Sequence, residues 1–245
     1  MSKVSVIMPA AGASHRFKDR HYKKPFAPLA GRAVWLHAAE KFLGRDDCEQ
    51  LILVIAPDDR ETFHMKFAAN AAILGIDVVD GGPDRATSVA NGLARVRDDI
   101  DLVAVHDAAR PCLAESWITA VFDAAERTGA AILARPVTGT LKRVDSDRQI
   151  EETVDRSNLW EAQTPQVFRR QLLLDAYAGR GDFRATDDAQ LVERIGHRVT
   201  IVPGSPFNLK ITSRDDLRLA EQALKVLPKP RLDGPAHPFA DDRWR

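Results

Sequence analysis

The segment "VAVHDAARP", residues 103–111, ends an apolar run in a carboxylate, Asp107, with Arg110 three residues later. An acid at the C-terminal edge of a buried parallel strand is well placed to hold Mg²⁺. That ion takes one or two carboxylates and completes its shell with phosphate oxygens and water. The bland alternative is an ion pair between Asp107 and Arg110. His106 reads as a packed histidine, because no second His or Cys stands at ligand spacing. A second candidate is "MPAAGASHRF", residues 8–17, which follows the apolar positions Val4, Val6 and Ile7. It matches neither G-x-G-x-x-G nor G-x-x-x-x-G-K-[ST]. Ala10, Ala11, Gly12, Ala13 and Ser14 are small enough to bring backbone close to a base or ribose. The basic run Arg16, Lys18, Arg20, Lys23 and Lys24 then suits a triphosphate, unless it is simply a solvated face.

Three further stretches carry polar groups at telling places. "GGPDRATSVANGL", 81–93, is a second small-residue loop entering a helix, whose free N–H groups favour anions or polar base edges. Thr87 or Ser88 is the expected N-cap there. In "DRSNLWEAQTPQVF", 155–168, Arg156 and Thr164 suit a phosphorylated substrate, while Trp160 and Phe168 suit packing. "NLKIT", 208–212, reads as a strand with one lysine, Lys210. A buried lysine needs an anion, either a carboxylate or a phosphate.

These residues require elements to place them. "VSVIM" reads as a first buried strand, 34–43 as a helix and 51–56 as a second strand. Asp58 with Glu61 has capping-box spacing for a helix reaching about Leu74, with Gly75 as its stop. A short strand at 77–79, a helix over 88–96 and a strand at 102–106 follow. A helix over 115–128 closes at Gly129 before a strand at 130–136. This alternation predicts an α/β fold, a mostly parallel twisted sheet with helices on both faces. It breaks after Pro136. "TLKRV", "DSDRQ" and "IEETVDR" read as two strands and a turn, a projecting β-arm over about 136–158. Helices over 171–178 and 188–195, strands over 198–202 and 208–212, and a last helix opened by Ser213 and Asp216 complete residues 1–227. The Pro- and charge-rich stretch 228–245 reads as disordered.

Composition narrows the classes. The 245 residues are 44% hydrophobic, with 35 Lys+Arg against 35 Asp+Glu, so the bulk basic excess of a nucleic-acid binder is missing. No signal peptide and no apolar run of transmembrane length is read, so a cytoplasmic location with no membrane partner is expected. The two cysteines fit neither a metal nor a redox spacing.

Taken in order, "PAAG…R…K", "GG…R…SV..GL", "VHDAARP", "TVDR..LW.AQTPQ.F", "TDDA" and "N.KIT..DL..AE" resemble the 2-C-methyl-D-erythritol 4-phosphate cytidylyltransferase family over residues 4 to about 225. The resemblance implies a Rossmann-like nucleotidyltransferase fold. It implies CTP and a sugar-alcohol phosphate as substrates, CDP-methylerythritol and pyrophosphate as products, and Mg²⁺ or another divalent cation as cofactor. It places Arg16, Lys24 and Lys210 at catalytic cation positions and Asp107 at the metal. Ala10, Ala11, Gly12, Gly82, Ser88 and Ala108 fall at CTP contacts. Arg110 and Thr164 fall at substrate contacts, and Thr140 and Arg156 on an arm that reaches the partner subunit's site in a homodimer. The chain departs from the family pattern at Ala13, Ser14, Pro25, Pro83 and Gly139. Two alternatives are a ribitol 5-phosphate cytidylyltransferase and a silent nucleotide-binding module. "HDAARP" and "DRSNLW" favour the methylerythritol enzyme over the first. Joint retention of Arg16, Lys24, Asp107 and Lys210 argues against the second.

Overall fold

The computed structural model describes residues 2–12, 17 and 22–228. The expectations for Ala13, Ser14 and Arg16, and for the tail from residue 229, lie outside these residues. The backbone begins with β1 (Val4–Pro9). A short hairpin of β2 (Pro28–Leu29) and β3 (Arg32–Ala33) then leads into α1 (Val34–Leu43). The next elements are β4 (Cys48–Ile55), α2 (Arg60–Ile73), β5 (Asp77–Asp80), α3 (Arg85–Leu93), β6 (Leu102–Val105), α4 (Glu115–Thr128) and β7 (Ala130–Pro136). After them come β8 (Leu141–Val144), β9 (Ile150–Val154), β10 (Trp160–Arg169), α5 (Arg170–Ala178), α6 (Asp188–Arg194), β11 (Thr200–Pro203) and α7 (Arg214–Val226).

Seven strands form one sheet in the order β11-β7-β10-β6-β1-β4-β5. All neighbours are parallel except β10, which runs antiparallel to both β6 and β7. Strand alternation sorts the core. Val4, Val6, Met8, Leu51, Leu53 and Ile55 face one layer with Trp35, Phe42, Phe63, Ile118 and Phe122 of α1, α2 and α4. Ile7, Ile52, Val54, Val103 and Val105 face the other, with Val89, Leu93, Leu173 and Leu191 of α3, α5 and α6. Strands covered on both faces read as unbroken apolar runs, which is why β1, β4 and β6 were legible. Burying each such side chain contributes about 1.5–3 kcal/mol before entropy is counted. A third cluster seats α7 through Ala220 and Ala223 on Cys112, Leu29 and Ile211.

Several elements differ from the sequence expectations. The helix after β5 begins earlier, because Asp84, not Thr87 or Ser88, is the N-cap and accepts from Thr87 N at 2.7 Å. Asp58 and Glu61 form no capping box. Pro57 opens a 3-10 turn over Pro57–Asp59, and α2 starts behind it without a side-chain cap. β10 occupies a stretch whose sequence pattern shows no strand. "NLKIT" is not a strand but an irregular segment. Gly75 (φ +64°) and Gly129 (φ +88°) stand just past helix ends as expected, and Ser213 with Asp216 forms the full capping box of α7. Among the described strands, β8 and β9 pair only with each other, outside the large sheet. They enclose an Asp145 turn whose carboxylate accepts from Asp147 N and Gln149 N. This hairpin is the expected arm, and its residues are nearly all exposed.

Candidate active site

The loops after β1, β5 and β6 gather at the C-terminal edge of the parallel strands, where open α/β sheets bind ligands. A cavity of ≈ 300 Å³ opens there, lined by Ala10, Ala11, Gly12, Lys24, Gly82, Ser88, Asp107 and Lys210 among others. Eight sequence-selected residues therefore converge on one space. Ala108 is fully buried, and Ala109 rather than Ala108 reaches the lining. The first and second loops approach so closely that a Cβ at Gly81 would stand 2.6 Å from Ala11 Cβ and 3.2 Å from the Ile55 carbonyl oxygen. Ser88 Oγ fixes the second loop by accepting from Gly82 N at 3.1 Å and donating to Asp84 O at 2.9 Å. Of the basic run, Lys23 pairs with Asp59 at 2.8 Å, while Lys24 lines the cavity.

Asp107 lies at the floor with its side chain 11% exposed, surrounded by cations. Lys210 Nζ is 2.7 Å away, Arg85 Nε 3.5 Å and Arg110 Nε 3.7 Å. The anticipated Asp107–Arg110 pair exists, but it is the longest of the three. Burial alone would push the Asp107 carboxyl up. The charges of Arg85, Lys210 and Arg110 outweigh burial and hold it well below the usual carboxylate range. Lys210 is not a buried strand lysine. Its side chain is 38% exposed, on a segment held by Asn208, which donates to Thr164 O at 2.9 Å and accepts from Arg110 Nη1 at 2.7 Å through its own carbonyl. Its partner is the carboxylate of Asp107.

A second cavity, ≈ 220 Å³, is lined by Arg110, Thr164, Gln163, Gln166, Thr186 and Asp187 together with Arg85, Asp107 and Lys210. The last three line both cavities and so form a common wall. Thr164 Oγ1 is buried, accepts from Asp107 N at 3.1 Å and meets His106 Nδ1 at 3.1 Å. His106 Nε2 faces Arg110 O at 3.0 Å, so Nε2 carries the proton and Nδ1 accepts from the threonine hydroxyl. His106 is the packed histidine expected, fully buried and pulled down to about 4 by desolvation. Among the described residues, Thr140 and Arg156 line neither cavity. Thr140 is exposed on the arm, and Arg156 donates to Thr138 O at the arm's base. Phe168 is buried as expected, whereas Trp160 is 40% exposed.

Sequence reasoning assigned no role to Arg85, although the residue stands inside a quoted motif. No strand end or ligand spacing marked it. The charge pairing that reveals it comes from Asp188, about a hundred residues downstream on α6, at 2.7 Å.

A divalent cation fits this donor set. Asp107 is an ionised carboxylate on the cavity lining, and one or two carboxylates suffice for an ion that draws its other ligands from phosphate and water. Among the described residues there is no cluster of three or more His, Cys, Asp or Glu that would make an all-protein cage.

Comparison with known proteins gives a consistent result. The family description "2-C-methyl-D-erythritol 4-phosphate cytidylyltransferase" matches residues 4–226. The protein of that name from Rhodopirellula baltica is 45% identical over 234 residues, covering 91% of this chain and 95% of its own. The one from Bacillus velezensis is 43% identical, covering 90% and 95%. The crystal structure of the Thermus thermophilus protein superposes with a TM-score of 0.75 at 34% identity, over 92% of this chain and 100% of that one. With its mostly parallel sheet, its paired cavities and this match along nearly the whole described chain, the protein belongs to the 2-C-methyl-D-erythritol 4-phosphate cytidylyltransferase family.

Proposed function

We propose that the two cavities are the two substrate sites of one transfer, CTP in the first and the sugar-alcohol phosphate in the second. The chain is a cytidylyltransferase: it joins CTP and 2-C-methyl-D-erythritol 4-phosphate to give 4-diphosphocytidyl-2-C-methyl-D-erythritol and pyrophosphate, a step in non-mevalonate isoprenoid precursor synthesis. The observation that carries the site reading is the common wall of Arg85, Asp107 and Lys210, which puts charge where two anions must meet.

The chemistry needs no strong base, because the attacking phosphate is already ionised. A phosphate oxygen of the acceptor bonds to the α-phosphorus of CTP. The bond to the β-phosphate oxygen breaks, and pyrophosphate leaves with that electron pair. The barrier is electrostatic and positional. Lys24 and Lys210 offset charge on the phosphates, and Arg16 takes the same role by its place in the motif. Ala10 to Gly12, Gly82 and Ser88 seat the nucleotide, and the buried Ala108 donates its N–H to Pro9 O at 3.4 Å, just before the first loop. Arg110 and Thr164 face the acceptor. Asp107 would hold a divalent cation, which when bound neutralises triphosphate charge.

The arm is read as shared between two copies of this chain. Val144 and Ile150 leave 48% and 64% of their surface exposed on a hairpin that pairs with no other strand among the described residues. Isolated hairpins are marginal in water. Thr140 and Arg156 would then reach the acceptor phosphate of the partner's site, with Arg156 gripping it bidentately.

The test is pyrophosphate release from CTP with methylerythritol phosphate, with ribitol 5-phosphate and with neither. Turnover with the first alone is expected. Preference for ribitol phosphate moves the acceptor assignment to the sister family, and no release with either sugar phosphate defeats the catalytic reading.

A further inference from the structure

Arg85 is gripped from behind by residues that line neither cavity. Its Nη2 donates to Asp188 Oδ2 at 2.7 Å, and Tyr177 donates its phenol to Asp188 Oδ1 at 2.6 Å. Asp188 is fully buried, and its charge is satisfied on both oxygens. Its backbone is fixed too, since Gln166 Oε1 on β10 accepts from Asp188 N and Ala189 N, each at 3.0 Å. Because a guanidinium is planar and rigid, holding one edge aims the other. The Nε edge of Arg85 faces Asp107 at 3.5 Å. The residues just past α5 add a second grip. Arg180 stands 3.8 Å from Asp84 and donates to Thr87 Oγ1 at 3.4 Å, at the start of the helix that carries Arg85.

We propose that Tyr177 and Asp188 are positioning residues for the transfer step: from outside both cavities they fix Arg85 against Asp107 and so set the wall on which the two substrates align. The proposal rests on the reading of the two cavities as substrate sites. Burial pushes the Tyr177 phenol up, which keeps it protonated and donating across the working pH range. The consequence is a loss in kcat rather than in binding, because a displacement of about 1 Å at the reacting groups costs roughly 10²-fold while ground-state contacts elsewhere persist.

The experiment is steady-state kinetics on Tyr177→Phe, Asp188→Asn, Arg85→Lys and the Tyr177→Phe/Arg85→Lys double variant, varying CTP and methylerythritol phosphate separately. Expected are a kcat loss of about fivefold or more for Tyr177→Phe and roughly 10²-fold for the other two, with each KM within about threefold. The double variant should lose no more than Arg85→Lys alone, since both act through one contact. A kcat within twofold of the parent for Tyr177→Phe and Asp188→Asn, or additive losses in the double variant, overturns the proposal. If Asp188→Asn does not fold, Tyr177→Phe decides, because it removes only one hydroxyl and keeps the ring. Lys210→Ala is measured alongside. A kcat loss there with silent Tyr177 and Arg85 variants overturns this proposal alone. Silence at Lys210 as well overturns the substrate-site reading beneath it.

Discussion

Asp107 is one negative charge facing three positive ones, and that surplus positive charge favours polyphosphate. In the proposed function the ionised carboxylate holds a divalent cation that arrives with the phosphates. Asp107→Asn removes the attraction and leaves three cations facing one another. It should lower kcat by about 10²–10³-fold and raise the magnesium concentration needed for half-maximal rate, read from a metal titration. Next to it, His106 makes a pH prediction. Its folded pKa of about 4 lies below the ordinary 6.5, so the fold keeps it neutral while the unfolded chain takes up a proton. The stability it contributes is complete above about pH 6.5 and is lost as pH falls toward 4, by about 2 kcal/mol between pH 7 and pH 5. Urea unfolding of metal-free protein at those two pH values should show that loss in the parent and a smaller one in His106→Gln. At this scale the sequence revealed groups that sit at strand ends, such as Asp107. It assigned no role to Arg85, Asp188 or Tyr177, whose meeting depends on how α3, α5 and α6 pack on the sheet.

Among the elements, the segment before α7 shows how an irregular stretch can be positioned as firmly as a strand. Its apolar alternation, Leu209 and Ile211 around Lys210, imitates a strand, yet what holds it is side chain to backbone: Asn208 to Thr164, and Arg110 to Asn208. Asn208→Ala should therefore lower kcat at least tenfold without touching a substrate, and cost about 1–3 kcal/mol in denaturant unfolding for the buried groups it orphans. At the other end of the segment, Ser213→Ala should cost about 1 kcal/mol through loss of the α7 cap, with kcat unchanged. β10 was illegible for the converse reason. Pro165 and the polar Gln163, Thr164 and Gln166 break any strand pattern, and these three polar side chains line the second cavity. The long apolar strands and the capped helices were legible because local pattern and global burial agree there.

For the whole molecule, the formal charge is zero while the site is cationic, so affinity for phosphates is a local property that bulk composition conceals. The shared-arm reading has a decisive quaternary test. Arg156→Ala and Lys24→Ala chains, each expected to be severely impaired alone, are mixed under conditions of demonstrated exchange. Each heterodimer then holds one doubly damaged site and one intact site, and activity should return to about half the parent value per heterodimer. No recovery would place the arm on its own chain's site. The reversal of β10 has a consequence of a different kind. β7 ends and β10 begins side by side, Pro136 opposite Trp160, with Val137 N donating to Leu159 O at 3.0 Å across the exit. The chain would be closed at that point even without the hairpin, so residues 138–158 behave as a removable cassette whose length the sheet does not register. A two-residue turn in their place should leave a folded, CTP-binding core; if the arm is shared between copies as proposed, that core has forgotten its neighbour, and hairpins of other lengths or sequences spliced onto the same point would redesign which copies recognise one another.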